Sequence, residues 1–369
     1  MRKTFYIRGL DGLRFLGSFL VLFHHTERGK TLFGYPAGLS FTKGIGDASM
    51  TLFFTLSGFL ITYILLNEKK KTGTISLPNF YKKRISRIWP LYYLLVFSSI
   101  FFFEKSDLFA LPGPQEPTDY RIAIPLYLFQ MPNFHVFFSA AMLAALGHLW
   151  TIGVEEQFYA ISPLIIKRTK NFVKAFVIII SIKIFITIAF AFSFRFLALT
   201  IDQLKDLKTL SRFLYNLRFE AFAVGGIAAF VFLEKKEKIL DFINRPIIKY
   251  TNLVILLLAM PFGHWSDTLH VVYAVCFSII IINLATKTTP VFFLDNKYIR
   301  YLGQISYGIY MYQAPVIYLV SNSLRPYYSS EHLILWNITY SVACFALSIG
   351  IAIVSYELVE RKIIALARK

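Results

Sequence analysis

Long apolar runs separated by short polar stretches recur along almost the whole chain, at 10–26, 48–66, 88–104, within 121–166, and at 172–195, 213–233, 247–262, 268–286, 303–322 and 333–357. Each run is continuous rather than alternating, which predicts helices of membrane-crossing length and argues against a β-barrel. Counting one net passage within 121–166, the pattern predicts an all-α, polytopic integral membrane protein of about ten transmembrane helices. Pro125 and Pro132 interrupt the stretch 121–147, which suits a re-entrant or interfacial piece. The run Leu111-Pro112-Gly113-Pro114-Gln115-Glu116-Pro117 has the composition of a loop. No small-residue cleavage site follows the first run, so it reads as a retained span rather than a signal peptide. No repeat or appended soluble domain is visible, and 1–369 reads as a single membrane domain.

Composition agrees: 56% of residues are hydrophobic and 16% charged. The net charge of +18 would suit a nucleic-acid partner, but its distribution points elsewhere. The clusters Lys69-Lys70-Lys71, Lys82 to Arg87, Lys167 to Lys174 and Lys235-Lys236-Glu237-Lys238 all fall on one side of the expected topology. The positive-inside rule then places both termini in the cytoplasm, with 27–47, 104–120 and 196–211 on the far side. The surplus is mainly topological, and no nucleic acid is expected. Cys276 and Cys344 both lie in apolar runs and read as packing residues without a disulfide.

Ionisable groups on apolar segments carry the candidate chemistry, because burying them is expensive without a function. Arg14 and His25 are eleven residues apart, so at about 100° per residue they share a helix face, offset by about 20° and about 16 Å in depth. His24 points elsewhere. Arg84 and Arg87, at i and i+3, suit a phosphate or serve as a topology anchor. The segment His148-Leu149-Trp150-Thr151-Ile152-Gly153-Val154-Glu155-Glu156-Gln157-Phe158-Tyr159 sets His148, Glu155 and Tyr159 on one helical face, as a functional cluster or a structural ion pair. Arg218 and Glu220 could bind substrate or neutralise charge within the bundle. Ser57-Gly58 permits close helix approach. His264 and His270 read as boundary residues. Neither zinc-type spacing nor a P-loop nor a GxSxG element occurs, and no metal is expected.

Taken together and in order, these segments resemble the acyltransferase family 3 of bacterial membrane O-acyltransferases, over Leu10 to about Arg361. The arginine-ten-histidine signature is met by Arg14 and His25, Phe-Phe-x-x-Ser-Gly-Phe-Leu-Ile by Phe53 through Ile61, and Arg-x-x-Arg by Arg84 and Arg87. Trp-x-x-x-x-Glu-x-Gln-Phe-Tyr is met by Trp150, Glu155, Gln157, Phe158 and Tyr159, and Ser-Tyr-x-x-Tyr by Ser306, Tyr307 and Tyr310. The chain departs from the family's pattern at Thr51, where an acidic residue is common, and at Gln313, where histidine is frequent.

The resemblance implies acyl-CoA, commonly acetyl-CoA, as donor, with no permanently bound cofactor. It implies a hydroxyl of a glycan or lipid-linked sugar as acceptor, and the bacterial cytoplasmic (inner) membrane as location. It gives His25 as general base, with Glu155 as a second catalytic group. Arg14, Arg84, Arg87, Trp150, Tyr159, Arg218, Glu220 and Tyr310 are then the substrate-binding residues. The competing reading is a transporter or flippase of a sugar-lipid or small solute, using the buried His, Arg and Glu residues as a relay.

Overall fold

The apolar runs fold as helices, and the described residues contain no strand. A computed structural model describes residues 7–36, 39, 42–113, 118–135, 142–169, 171–196, 200–261, 268–287 and 293–368. In chain order the helices are α1 (Leu10–Leu32), α2 (Thr42–Thr72), α3 (Leu77–Phe101), α4 (Tyr120–Leu128), α5 (Trp150–Arg168), α6 (Phe172–Phe196), α7 (Ile201–Leu217) and α8 (Phe219–Leu233). They continue as α9 (Glu237–Ile243), α10 (Pro246–Ala259), α11 (Thr268–Ala285), α12 (Lys297–Gln304), α13 (Ser306–Ser323), α14 (Leu333–Ser355) and α15 (Arg361–Arg368), with a π-helical turn at Tyr356–Glu360.

Among the described residues, five stretches are long and apolar enough to cross a membrane: Thr42–Thr72, Leu77–Lys105, Phe172–Phe196, Ile201–Leu233 and Leu333–Ala367. A sixth is the bent pair α9–α10, broken by 60°. This is the chemistry of a multi-pass membrane protein.

Three local expectations need correction. Pro125 does not break its segment; it sits inside α4, while Pro132 opens a 3₁₀ turn at Pro132–Phe134. The segment 196–211 is helical from Ile201, because Thr200 and Gln203 cap each other reciprocally and start α7. The run 213–233 is not one helix. Arg218 takes a left-handed backbone (φ 44°) and separates α7 from α8.

The chain forms two compact units. The first comprises Met1–Gly17, Lys43–Ile75 and Val154–Gly303, and the second comprises Ser18–Thr42, Ser76–Gly153 and Gln304–Lys369. The core of the first unit is built from the start of α1, from α2, α8 and α11, around Leu13, Leu52, Phe59, Ala229, Tyr273 and Ile281. Here α2 and α8 touch backbone to backbone. A Cβ on Gly58 would lie 2.1 Å from the Phe222 carbonyl oxygen, and one on Gly225 would lie 2.0 Å from that of Thr55. Apolar attraction between helices is weak in lipid, so such close approach supplies much of the packing energy.

The second unit packs α1, α13 and α14 around Phe33, Tyr35, Ile317, Val320, Trp336 and Tyr340. Tyrosine hydroxyls tie its helices together. Tyr35 donates to the Ser321 carbonyl at 2.8 Å, Tyr92 to that of Tyr127 at 2.9 Å, and Tyr307 to that of Ile88 at 2.9 Å. Cys276 and Cys344, one in each unit, are buried packing residues.

Overpacking the α2–α8 contact should be costly. Gly225→Val should lower the thermal midpoint of the detergent-solubilised protein by about 5 °C or more, as expected for about 1–3 kcal/mol of strain. Gly350→Ala, on α14 with nothing within 4 Å of the added methyl, should melt at or above wild type. Equal melting of the two variants would refute the close-approach account.

Candidate functional site

In the first unit, the residue beside the close-packed Gly58 is Ser57, which points about 100° around α2 from the α8 contact. Its hydroxyl donates to Glu155 Oε1 on α5, and the Tyr159 hydroxyl donates to the same oxygen. Tyr159 and Ser57 lie 3.3 Å apart, closing a three-membered set around one half-buried carboxylate.

The same unit holds a second polar cluster. Arg218, 1% exposed, bonds Asp47 Oδ1 at 2.9 Å, the Asp47 carbonyl at 3.0 Å and Thr51 Oγ1 at 3.3 Å. Thr51 Oγ1 also lies 3.4 Å from His270 Nδ1, and the Tyr215 ring stacks edge-on against His270 at 4.7 Å. The left-handed turn at Arg218 is thus held by its own side chain, which reaches back to α2. Glu220, one turn into α8, is buried. Arg14 bonds Asp11 at 2.9 Å within the first turns of α1. That turn is clasped at Gly12 by Leu294 and at its Asp11 backbone by Gly303.

In the second unit, α1 continues unbroken through His24 and His25 to Leu32, so the phase read from the eleven-residue spacing applies to a continuous helix. His24 is buried, with Nδ1 3.2 Å from Thr42 Oγ1. His25 is half-buried and faces His148, Arg28 and Gln313. One turn further on, Glu27 and Lys30 form a buried ion pair at 2.7 Å.

His148 sits in the 3₁₀ turn Gly147–Leu149 ahead of α5. Its Nε2 lies 3.0 Å from the Met311 carbonyl on α13. A carbonyl only accepts, so Nε2 carries the proton and Nδ1 the lone pair. The reason lies in α13: Pro315 has no N–H, so the carbonyl four residues back, Met311, lacks its helical donor. His148 supplies the missing hydrogen bond. In return, the Tyr310 hydroxyl lies 2.7 Å from the His148 carbonyl and 2.6 Å from Thr151 Oγ1.

Arg84 and Arg87 lie on α3, half-buried, with Arg84 over the Phe80 ring at 5.7 Å and Arg87 in the field of Glu360. Trp150 begins α5 and is half-buried.

The structure therefore places Glu155 with Tyr159 as the sequence spacing implied, and adds Ser57. His148 lies just ahead of α5, in the 3₁₀ turn Gly147–Leu149, and its ring contacts the Met311 carbonyl on α13. Arg218 pairs with Asp47, a partner that sequence reasoning missed. His270 is completely buried rather than a boundary residue, and His264 lies outside the described residues. An acidic residue on an apolar helix, Asp47, was the available signal for the Arg218 cluster. Among the described residues, no group of three or more His, Cys, Asp or Glu side chains is arranged to hold a metal.

Comparison with known proteins places these residues in context. Peptidoglycan O-acetyltransferase OatA of Listeria monocytogenes serovar 1/2a is 25% identical over 87% of this chain and 51% of its own length. O-acetyltransferase OatA of Staphylococcus aureus (strain NCTC 8325 / PS 47) is 25% identical over 97% of this chain and 57% of its own. The chain thus spans about half the length of the curated relatives it matches. No solved structure matches it. The model of the acyltransferase 3 family, described as an acyltransferase domain, matches residues 7–357 and so includes both the Glu155 set and the His25 surroundings: the chain belongs to this family.

Proposed function

We propose that this protein is a multi-pass O-acetyltransferase of a bacterial cytoplasmic membrane. It moves an acetyl group from acyl-CoA to a hydroxyl of a glycan or lipid-linked sugar, with His25 as general base. The observation that carries the reading is the His25 setting. A half-buried imidazole stands on an apolar helix among polar groups, in a chain of this family. The relatives are O-acetyltransferases, the Listeria protein one of peptidoglycan, which supports a glycan acceptor.

In the proposed step His25 takes the proton of the acceptor hydroxyl, and the oxygen attacks the thioester carbonyl. The resulting oxyanion collapses, the C–S bond breaks, and the leaving thiolate takes the proton from the imidazolium. The products are the acetyl ester and free CoA. In the second unit, Arg84 and Arg87 are assigned to the phosphates of CoA, and Trp150 and Tyr310 to substrate packing. In the first unit, Arg14, Arg218, Glu220 and Tyr159 are assigned to substrate, with Glu155 as the acidic catalytic group. The family match favours acyl transfer over the transporter reading.

The fold is assigned about ten crossings, with both termini cytoplasmic, from the charge asymmetry of the loops. In a variant lacking Cys276 and Cys344, a cysteine placed at position 237 should resist a membrane-impermeant reagent in intact cells. Labelling there would overturn this topology.

His25→Ala should reduce acetyl transfer from acetyl-CoA by at least about 100-fold, the range for loss of a general base, while membrane insertion persists. His24→Ala, which removes a contact to Thr42, should be milder. Near-native transfer by His25→Ala in a purified-enzyme assay would refute the base assignment.

Glu155→Gln keeps the shape that Ser57 and Tyr159 pack against and removes the charge. It should slow turnover by at least about tenfold, equivalent to about 1.4 kcal/mol of barrier, with little loss of folded protein. Glu156→Gln should stay within a few-fold of wild type, and the opposite ranking would exclude Glu155 from the chemistry.

A further inference from the structure

Gln313 is completely buried on α13 and turned toward His25. The amide's one partner is the His25 imidazole, and neither amide atom finds a second hydrogen bond in the protein. Leaving a buried polar group unpaired typically costs about 1–3 kcal/mol, and folded proteins rarely keep such groups without a use for them. His148, also facing His25, has its Nδ1 buried and without a partner as well. Unspent donor and acceptor capacity is thus gathered around the half-buried imidazole.

The segment carrying Gln313 is held firmly. His148 Nε2 donates to Met311, two residues before Gln313, and the Tyr310 hydroxyl donates back to the His148 carbonyl. These two bonds run in opposite directions between α13 and the 3₁₀ turn, so the amide is positioned before any ligand arrives. An amide offers two N–H donors and does not titrate near neutrality. What it matches is a neutral carbonyl that gains negative charge during reaction.

We propose that Gln313 is a catalytic residue whose amide N–H donates to the acyl carbonyl oxygen as it becomes an oxyanion, while His148 keeps that amide in place. This rests on the acyl-transfer reading above. The proton still passes from the acceptor hydroxyl to His25 and on to the departing thiolate; Gln313 gains and loses no proton. Its hydrogen bond strengthens as the carbonyl oxygen becomes negative, so it lowers the barrier more than it improves ground-state binding.

The test uses the full chain in proteoliposomes with labelled acetyl-CoA and a glycan acceptor. Gln313→Met preserves side-chain length and removes both polar atoms. It should lower kcat about 100- to 1,000-fold, the usual loss for one oxyanion donor, with KM for acetyl-CoA within about threefold of wild type. Its thermal midpoint should stay close to that of wild type, because the one hydrogen bond lost to His25 is offset by removing buried polar capacity that has no other partner. Gln313→His retains an N–H donor and should keep kcat within about tenfold of wild type.

A Gln313→Met enzyme with kcat within about threefold of wild type would overturn the proposal. So would a loss matched by a fall in thermal midpoint and shared by Gln313→His, which would make the residue structural. Wild-type protein that moves no label from acetyl-CoA would instead overturn the acyl-transfer reading on which the proposal stands. Active wild type with an equally active Gln313→Met would overturn only the role of Gln313.

Discussion

A charged or hydrogen-bonding group on a helix surrounded by apolar matter has to find its partner inside the protein. That requirement organises both units. Arg218 meets Asp47 and Thr51, Lys30 meets Glu27, and Arg14 meets Asp11. Isolated ions of this kind would be strongly destabilising, whereas paired ones are tolerated, and the Arg218–Asp47 pair also ties the start of α8 to α2. Against that background Gln313 and the Nδ1 of His148 stand out, because they are buried and, apart from the contact of Gln313 with His25, their capacity is not consumed by the fold.

Two further devices do the work that water-driven collapse does in a soluble core. Small residues let α2 and α8 meet at Gly58 and Gly225, where van der Waals contact between backbones replaces side-chain interdigitation. Tyrosine hydroxyls donate to main-chain carbonyls, as in Tyr35 to Ser321, Tyr92 to Tyr127 and Tyr307 to Ile88. A carbonyl has two lone pairs, so one already engaged in a helix can accept a second donor. Each tie therefore fixes the height of one helix against another without unwinding either. Tyr307 and Tyr310 of the Ser-Tyr-x-x-Tyr signature also act as such ties.

Where the apolar runs lie was legible from the amino acids, because hydropathy over some twenty residues reports burial directly. The pairing of Glu155 with Tyr159 was legible too, since four residues is one helical turn. Thr200 and Gln203 were equally readable as a cap, but a search for apolar spans passes over an amphipathic helix such as α7. The partners of Arg218 and the burial of His270 were not legible. They depend on residues far apart in the chain: Asp47 on its apolar helix signals that a partner is needed but not which residue supplies it. The bond from His148 to the Met311 carbonyl was not legible either, because the two residues are 163 apart in the chain.

Pro315 shows how a missing atom can determine chemistry at a distance. By withholding one N–H it leaves Met311 with an open carbonyl, and that carbonyl accepts only from a protonated nitrogen. His148 therefore exists as a single tautomer, written into the helix backbone rather than chosen by a neighbouring acid. In many histidine sites a carboxylate performs this duty and brings a negative charge with it. Here the duty falls to an uncharged peptide group, so the imidazole of His148 is oriented without an added anion.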